Sequence, residues 1–187
     1  MTKHLKKRNI IFLVIIILLL IPKSRQAIQI VLHKGIALVN PISEVSKNER
    51  IKLENFDWVL LKENGVPYNF NEAKGKVILI NFWATWCPPC IAEMSSLQKL
   101  YDKFGNKIEF LFVTNEPSEI VQNFKAKKMY DFPVYIRQSD IPKEFITRSI
   151  PRTIIINKSG EIVIDKSGAV NWNSDKVISQ LNQLLKE

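Results

Sequence analysis

The 187-residue chain predicts an α/β fold: one central mixed sheet flanked by helices, led by a β-hairpin and preceded by a membrane signal anchor. Three observations point there. The run Val77-Ile78-Leu79-Ile80, leading into Phe82 and Trp83, is apolar and rich in β-branched residues, as a strand buried on both faces would be. Directly after it the period changes. Ile91, Met94, Leu97, Leu100, Tyr101 and Phe104 recur at spacings of three and four, which is one face of a helix. Strand and helix signals then alternate to the C-terminus, the pattern of a single sheet with helices on both faces.

Taken in order, Lys3, His4, Lys6, Lys7 and Arg8 precede an uninterrupted apolar run from Ile10 to Ile21. As a helix this run spans about 18 Å, short of a hydrocarbon layer of roughly 30 Å. Pro22 to Ala27 offers no small-residue cleavage pair, however, and the basic residues at both ends can snorkel and lengthen the span. Residues 1–25 therefore read as an uncleaved anchor, with a cleaved secretion signal as the alternative. The stronger positive charge before the run keeps the N-terminus cytoplasmic and puts the rest outside the membrane.

Residues 26–39 are again apolar but broken by His33, Lys34 and Gly35, which suits an interfacial helix on the outer membrane surface. A second, incomplete half of the anchor is the alternative. Asn40-Pro41 ends this segment, and Ser43 to Arg50 reads as a polar linker, so residues 26–50 form a juxtamembrane unit. The folded domain occupies residues 51–187.

Within it, Trp58 to Leu61 and Val66 to Phe70 flank Glu63-Asn64-Gly65, a hairpin signal. Lys74-Gly75-Lys76 turns the chain into the buried strand. The helix after it stops at Gly105, a residue suited to a left-handed C-terminal position, with Lys99 and Lys103 in its last turns to suit the dipole. A strand over Ile108 to Val113, a helix from Pro117 to about Met129, a strand at Pro133 to Ile136 and a brief helix from Pro142 to Ile146 follow. Ile154 to Ile156 and Glu161 to Asp165 form a second hairpin around Lys158-Ser159-Gly160. A last helix over about Ser174 to Leu185 presents Val177, Ile178, Leu181, Leu184 and Leu185 on one side.

The formal charge is +9, but residues 1–40 hold seven of the 27 basic residues and none of the 18 acidic ones. The domain is close to neutral, so no nucleic-acid partner is expected. The two cysteines, Cys87 and Cys90, are too few for a disulfide framework. The only histidines, His4 and His33, lie in the N-terminal segment, so no metal site is expected. A purely structural staple across so short a loop gains only about 2 kcal/mol. Reactivity explains the pair better.

Cys87-Pro88-Pro89-Cys90 sits where a strand becomes a helix. With the helix starting at Pro88, Cys87 is its N-cap, and the prolines occupy first-turn positions that need no N–H. The free N–H of Cys90 then points at the Cys87 sulfur, and the positive helix end favours a thiolate. Cys87 is the expected nucleophile. Cys90, one turn inside, is the resolving thiol that breaks the mixed disulfide.

The stretch Phe82-Trp83-Ala84-Thr85-Trp86-Cys87-Pro88-Pro89-Cys90 resembles the active-site motif of thioredoxin-fold proteins. With the N-terminal anchor and leading hairpin, residues 50–187 are most similar to the TlpA/ResA branch of membrane-anchored thiol–disulfide oxidoreductases. The resemblance implies a thioredoxin-like fold and a redox-active Cys87–Cys90 disulfide with no other cofactor. It also implies that Ile150 and Pro151, the latter a cis-proline, lie beside the cysteines with Trp86 to hold the substrate strand. A plain trans proline at a strand start is the alternative for Pro151.

Three positions depart from the family pattern. Asn81 stands where thioredoxins carry a buried aspartate, and an amide cannot take a proton as a carboxylate does. Glu93, three residues after Cys90, is the candidate base in its place, matching a glutamate that ResA-like members carry; a solvated helix glutamate is the alternative. Ser95 replaces a common proline, so the helix should be less kinked. Arg152 replaces a small or hydroxyl residue; a solvent-facing side chain, an attraction for acidic partners and a thiolate stabiliser are its three readings.

The function these features imply is exchange of disulfides with protein substrates, as a periplasmic, inner-membrane-anchored reductase. The resemblance further implies apocytochrome c as substrate and a membrane electron donor of the DsbD/CcdA type. Two other readings compete. A thiol peroxidase would want a threonine three residues before its cysteine, where Ala84 stands, and a proline upstream, yet none lies between Pro67 and Pro88. An anchored binding module that only senses redox state is the other.

Overall fold

The computed structural model describes residues 2–187, with side chains from Lys6 onward, so the side chains of Lys3 and His4 lie outside it. Helix α1 (Thr2–Leu20) and helix α2 (Pro22–Val39) meet at Ile21, which leaves helical geometry just before Pro22. Proline at N1 suits the start of a helix because its missing N–H needs no partner there. No single helix among the described residues is long and apolar enough to cross a membrane. Lys6–Leu20 together with α2 meets the length and composition of a span, bent by 95° at the break.

Seven strands form one mixed sheet. In chain order they are β1 (Val59–Lys62), β2 (Pro67–Asn69), β3 (Ile78–Phe82), β4 (Glu109–Thr114), β5 (Val134–Arg137), β6 (Arg152–Ile156) and β7 (Ile162–Ser167). Their order across the sheet is β2-β1-β5-β4-β3-β6-β7. β3, β4 and β5 are parallel; β6 and β7 join antiparallel on one side, and the β1–β2 hairpin on the other. Gly65 takes φ +85° in the hairpin turn, a conformation that glycine adopts without a Cβ penalty. Each predicted strand is present, with ends displaced by a residue or two.

The two faces of the sheet are covered differently. Leu79 of β3 and Phe112 of β4 face helices α3 (Pro88–Phe104), α4 (Ser118–Lys128) and α5 (Asp175–Lys186), which contribute Met94, Leu97, Val121, Val177 and Leu181 to one core. Two consecutive parallel crossovers running the same way across the sheet, both right-handed, place their helices on the same side. Ile78, Ile80 and Phe82 face the other way, onto Trp58, Phe70 and Phe145. The helix expected from Pro142 to Ile146 is a single 3-10 turn, Lys143–Phe145. This second face is thus closed by hairpin aromatics and short turns, where the alternation had suggested helices on both.

Three local readings are corrected. Gly105 ends α3 in right-handed geometry, φ −59°. A Cβ there would lie 2.8 Å from the Tyr101 carbonyl oxygen and 2.9 Å from its ring, so the glycine supplies space and not a left-handed turn. The polar linker over Ser43 to Arg50 runs along the domain: the Val45 N–H donates to Val163 O (2.9 Å), and just beyond it the Leu53 N–H donates to Gly160 O (2.9 Å). Ile42 is buried in the helix-side core. The interfacial helix expected over 26–39 is helical, but Ala37 is buried against Ala92 of α3 and Ala169, with Ile30 beside them, so one face of α2 belongs to the domain. Apolar patterning could not show this, because a lipid surface and a protein surface select the same residues.

Candidate functional site

The site forms where β3 runs out into α3. All five residues of β3 are buried, and the chain then turns through Trp83 to Trp86 to reach Cys87. Glu116, just beyond β4, holds this turn. Its carboxylate accepts from the Thr85 N–H and the Thr85 hydroxyl, both at 2.6 Å. Trp83 is buried in the helix-side core, edge-on to Phe132. Trp86 is 66% exposed and stands beside the cysteines as a surface aromatic.

Cys87 is the N-cap of α3, with prolines in the first two helical positions. The Cys90 N–H donates to Cys87 Sγ at 3.2 Å, the arrangement the sequence predicts. It needs no side-chain partner from elsewhere: the helix end supplies both the donor and the favourable dipole. Cys87 and Cys90 are joined by a disulfide, Cα to Cα 5.2 Å. Cys90 is fully buried and Cys87 nearly so. The Ile150–Pro151 peptide is cis, and Cys87 Sγ lies 3.8 Å from the Ile150 carbonyl oxygen. The Ile150 carbonyl thus lies beside Cys87, one residue before the cis-proline.

Behind Cys90 the site is polar and closed. Glu93 is buried, which corrects the solvated reading. One carboxylate oxygen accepts from the Asn81 amide at 2.9 Å. The other accepts from the Val170 N–H at 3.1 Å and the Trp172 indole N–H at 3.0 Å. Burial pushes the Glu93 carboxyl up to about 8, and the donors from Trp172, Asn81 and Val170 offset only part of that rise. The second Asn81 amide hydrogen donates to Thr153 Oγ1 at 2.8 Å, its partner across the β3–β6 ladder. Asn81 therefore does more than mark a missing aspartate. It bridges Glu93 to the strand that follows Pro151.

The comparisons with known proteins fit this geometry. Residues 47–185 match the model of the family described as Redoxin. The chain belongs to the Redoxin family. Within it, this redoxin is a TlpA/ResA-like member of the thioredoxin superfamily and a thioredoxin-like disulfide oxidoreductase. It is 32% identical to thiol-disulfide oxidoreductase ResA of Halalkalibacterium halodurans over 133 residues, 70% of this chain and 74% of that one. The ResA of Bacillus cereus (strain ATCC 10987 / NRS 248) is 29% identical over 188 residues, 98% of each chain. A thiol:disulfide interchange protein of the thioredoxin family from Chlorobium tepidum TLS superposes with a TM-score of 0.58 at 22% identity, over 70% of this chain and 96% of that one. The redoxin therefore has the thioredoxin-like α/β fold.

Near the redoxin's cysteine pair, which itself does not line it, lies a cleft of about 370 Å³ walled by Trp86, Glu116, Arg137, Ile146, Arg148 and Ile150. Arg152 has none of its three predicted roles. Its guanidinium makes a bidentate pair with Asp165 of β7 (2.8 and 2.7 Å) and donates to the carbonyls of Ile146 and Glu144. It braces the cleft wall and is not free for a partner. Ser95 leaves α3 as one uninterrupted helix, as expected.

Sequence reasoning missed Glu116, Thr153 and Trp172. Thr153 had a faint signal, a polar residue at the head of the buried Ile154-Ile155-Ile156. Trp172 and Glu116 had none, because each reaches the site from a loop distant in sequence.

Proposed function

We propose that this oxidoreductase is a membrane-tethered reductant of protein disulfides outside the cytoplasm, with Cys87 as nucleophile, Cys90 as resolving thiol and Glu93 as the proton acceptor for Cys90. The observation that carries the reading is Cys87 itself: a helix N-cap sulfur receiving the Cys90 N–H, set against Ile150 and the cis-proline.

In the reduced form, the Cys87 thiolate attacks one sulfur of a substrate disulfide and expels the other as a thiolate, leaving a mixed disulfide. Glu93 takes the Cys90 proton. The Cys90 thiolate then attacks Cys87 Sγ, closes the Cys87–Cys90 bond and expels the second substrate thiolate. Two electrons pass to the substrate, whose thiolates take up protons. A dithiol donor returns the chain to its reduced form by the reverse exchange. A carboxyl near pH 8 is suited to this transfer, since proton exchange is most efficient when the base titrates near the working pH.

The likeness to ResA proteins supports a role in cytochrome c maturation, with haem-attachment cysteines of apocytochrome c as substrate and a DsbD/CcdA-type membrane donor. The basic N-terminus and apolar α1 support an inner-membrane anchor with the domain on the periplasmic side. The test is trapping. The Cys90→Ser chain is expected to accumulate a mixed disulfide through Cys87, and the captured partner names the pathway. Insulin reduction is expected to fall to background in Cys87→Ser; activity surviving that change would sink the mechanism.

A further inference from the structure

The last turn of α2 touches the same loop that holds Glu93. Ala37 O accepts from the Asn171 N–H at 3.0 Å, and the Asn40 side-chain amide donates to Ala169 O at 3.0 Å. Between and beside these anchor points, the Val170 N–H and the Trp172 indole N–H are two of the three donors to Glu93. The loop has a second support on α3, where Ser96 Oγ accepts from the Trp172 N–H at 3.1 Å. Small residues make the approach of α2 feasible: Ala37, Ala92 and Ala169 meet in one buried cluster, and Ser95 and Ser96 line the crevice between α2 and α3. The contact therefore runs from the helix next to the anchor, through four loop residues, to a buried carboxylate one turn from Cys90.

We propose that α2 is a positioning element of the redox site: through Ala37 and Asn40 it fixes the 169–172 loop, and with it the donors that set the proton affinity of Glu93. This rests on the reading of Glu93 as the base for Cys90. A backbone N–H and an indole N–H stabilise a carboxylate only while they are aimed at it, and hydrogen bonds weaken steeply with misalignment. Without α2 the loop keeps the Gly168 N–H bond to Pro151 O and its contact with Ser96 of α3, but loses its supports at Ala169 and Asn171, on either side of Val170, which leaves both donors freer to turn away. The 95° bend between α1 and α2 adds a consequence. With α1 along the membrane normal, α2 lies in the membrane plane, and its exposed Val31, Leu32, Leu38 and Val39 face away from the buried Ala37 contact. The same helix then meets the bilayer and the catalytic domain.

The charged groups around Glu93 do not compete with this account. Asn81 of β3, Thr153 of β6 and Trp172 carry no charge at neutral pH, and Cys87 and Cys90 of α3 are joined as an uncharged disulfide. Lys34 of α2 and Lys99 of α3 line the crevice but are exposed, and neither pairs with Glu93.

The experiment is a pH titration of the Glu93 carboxyl carbon by NMR in the full chain held in detergent micelles, with the signal assigned by its loss in Glu93→Gln. Asn40→Ala removes one anchor and keeps the helix. Ala37→Leu wedges the α2–α3 contact and serves as the second variant. Both are expected to raise the Glu93 midpoint by about half a pH unit or more, to shift the Trp172 indole signal, and to move the pH profile of disulfide exchange in step. A midpoint that matches the unmodified chain in both folded variants, or that falls, overturns the proposal. If the unmodified chain titrates near 4.5, the reading of Glu93 as base fails by itself, whatever the variants do.

Discussion

The two sulfurs of one disulfide sit in opposite surroundings. Cys87 Sγ lies against the Ile150 backbone carbonyl, next to the exposed Trp86 in sequence, and receives the Cys90 N–H from its own helix. Cys90 lies in the core, on the same helix as a carboxylate that takes three donors from β3 and the 169–172 loop. The contrast separates two tasks. The proposed nucleophile takes its donor from local backbone geometry and is slightly exposed, at 3%. The proposed resolving thiol is fully shielded, so in that role its proton needs an internal acceptor.

Changes on the closed side should have the largest effects. Glu93→Gln is expected to slow resolution of the mixed disulfide by about a hundredfold or more, within the usual range for a lost acid–base group, read by stopped-flow release of substrate thiol. It should also alter the pH dependence of stability. Glu93 titrates near 8 in the folded chain against an ordinary 4.5, so the folded state binds the extra proton. The stabilisation this gives is complete below pH 4.5 and is lost as pH rises through 8. Denaturant midpoints of the parent chain should therefore fall across that window, and those of Glu93→Gln should fall less. Equal slopes would break the comparison.

Arg152→Ala tests the support of the open side. It removes a bidentate pair that is partly exposed and leaves two carbonyls without their donor. A loss of about 1–3 kcal/mol in denaturation is expected, with faster proteolysis between Glu144 and Ile146 and little change in the pH profile. Trp86→Ala should be the mildest. Its side chain is 66% exposed, so stability should stay within about 0.5 kcal/mol. Exchange with a protein disulfide should slow several-fold while exchange with a small disulfide does not. Equal slowing for both would assign Trp86 to the chemistry and erase the distinction between the two sides.

Much was legible from the residues alone where the cause was local. The buried β3, the amphipathic α3, the hairpin at Asn64-Gly65 and the geometry of Cys87 against the Cys90 N–H all follow from periodicity, turn chemistry and helix-end donors within a few residues. So do α5 and the second hairpin. Pairings between distant segments were decided only by the tertiary structure. Asn81 found Thr153, Glu93 found Val170 and Trp172, and the 169–172 loop found α2. A side-chain hydrogen bond across 70 or more residues leaves no period in the sequence, because its partners are brought together by the sheet order and not by their spacing. The same holds for α2, whose apolar face suits lipid and protein equally until Ala37, Ala92 and Ala169 meet. The chain thus specified by itself that Cys87 caps its helix and receives the Cys90 N–H, while the fold decided what surrounds Cys90.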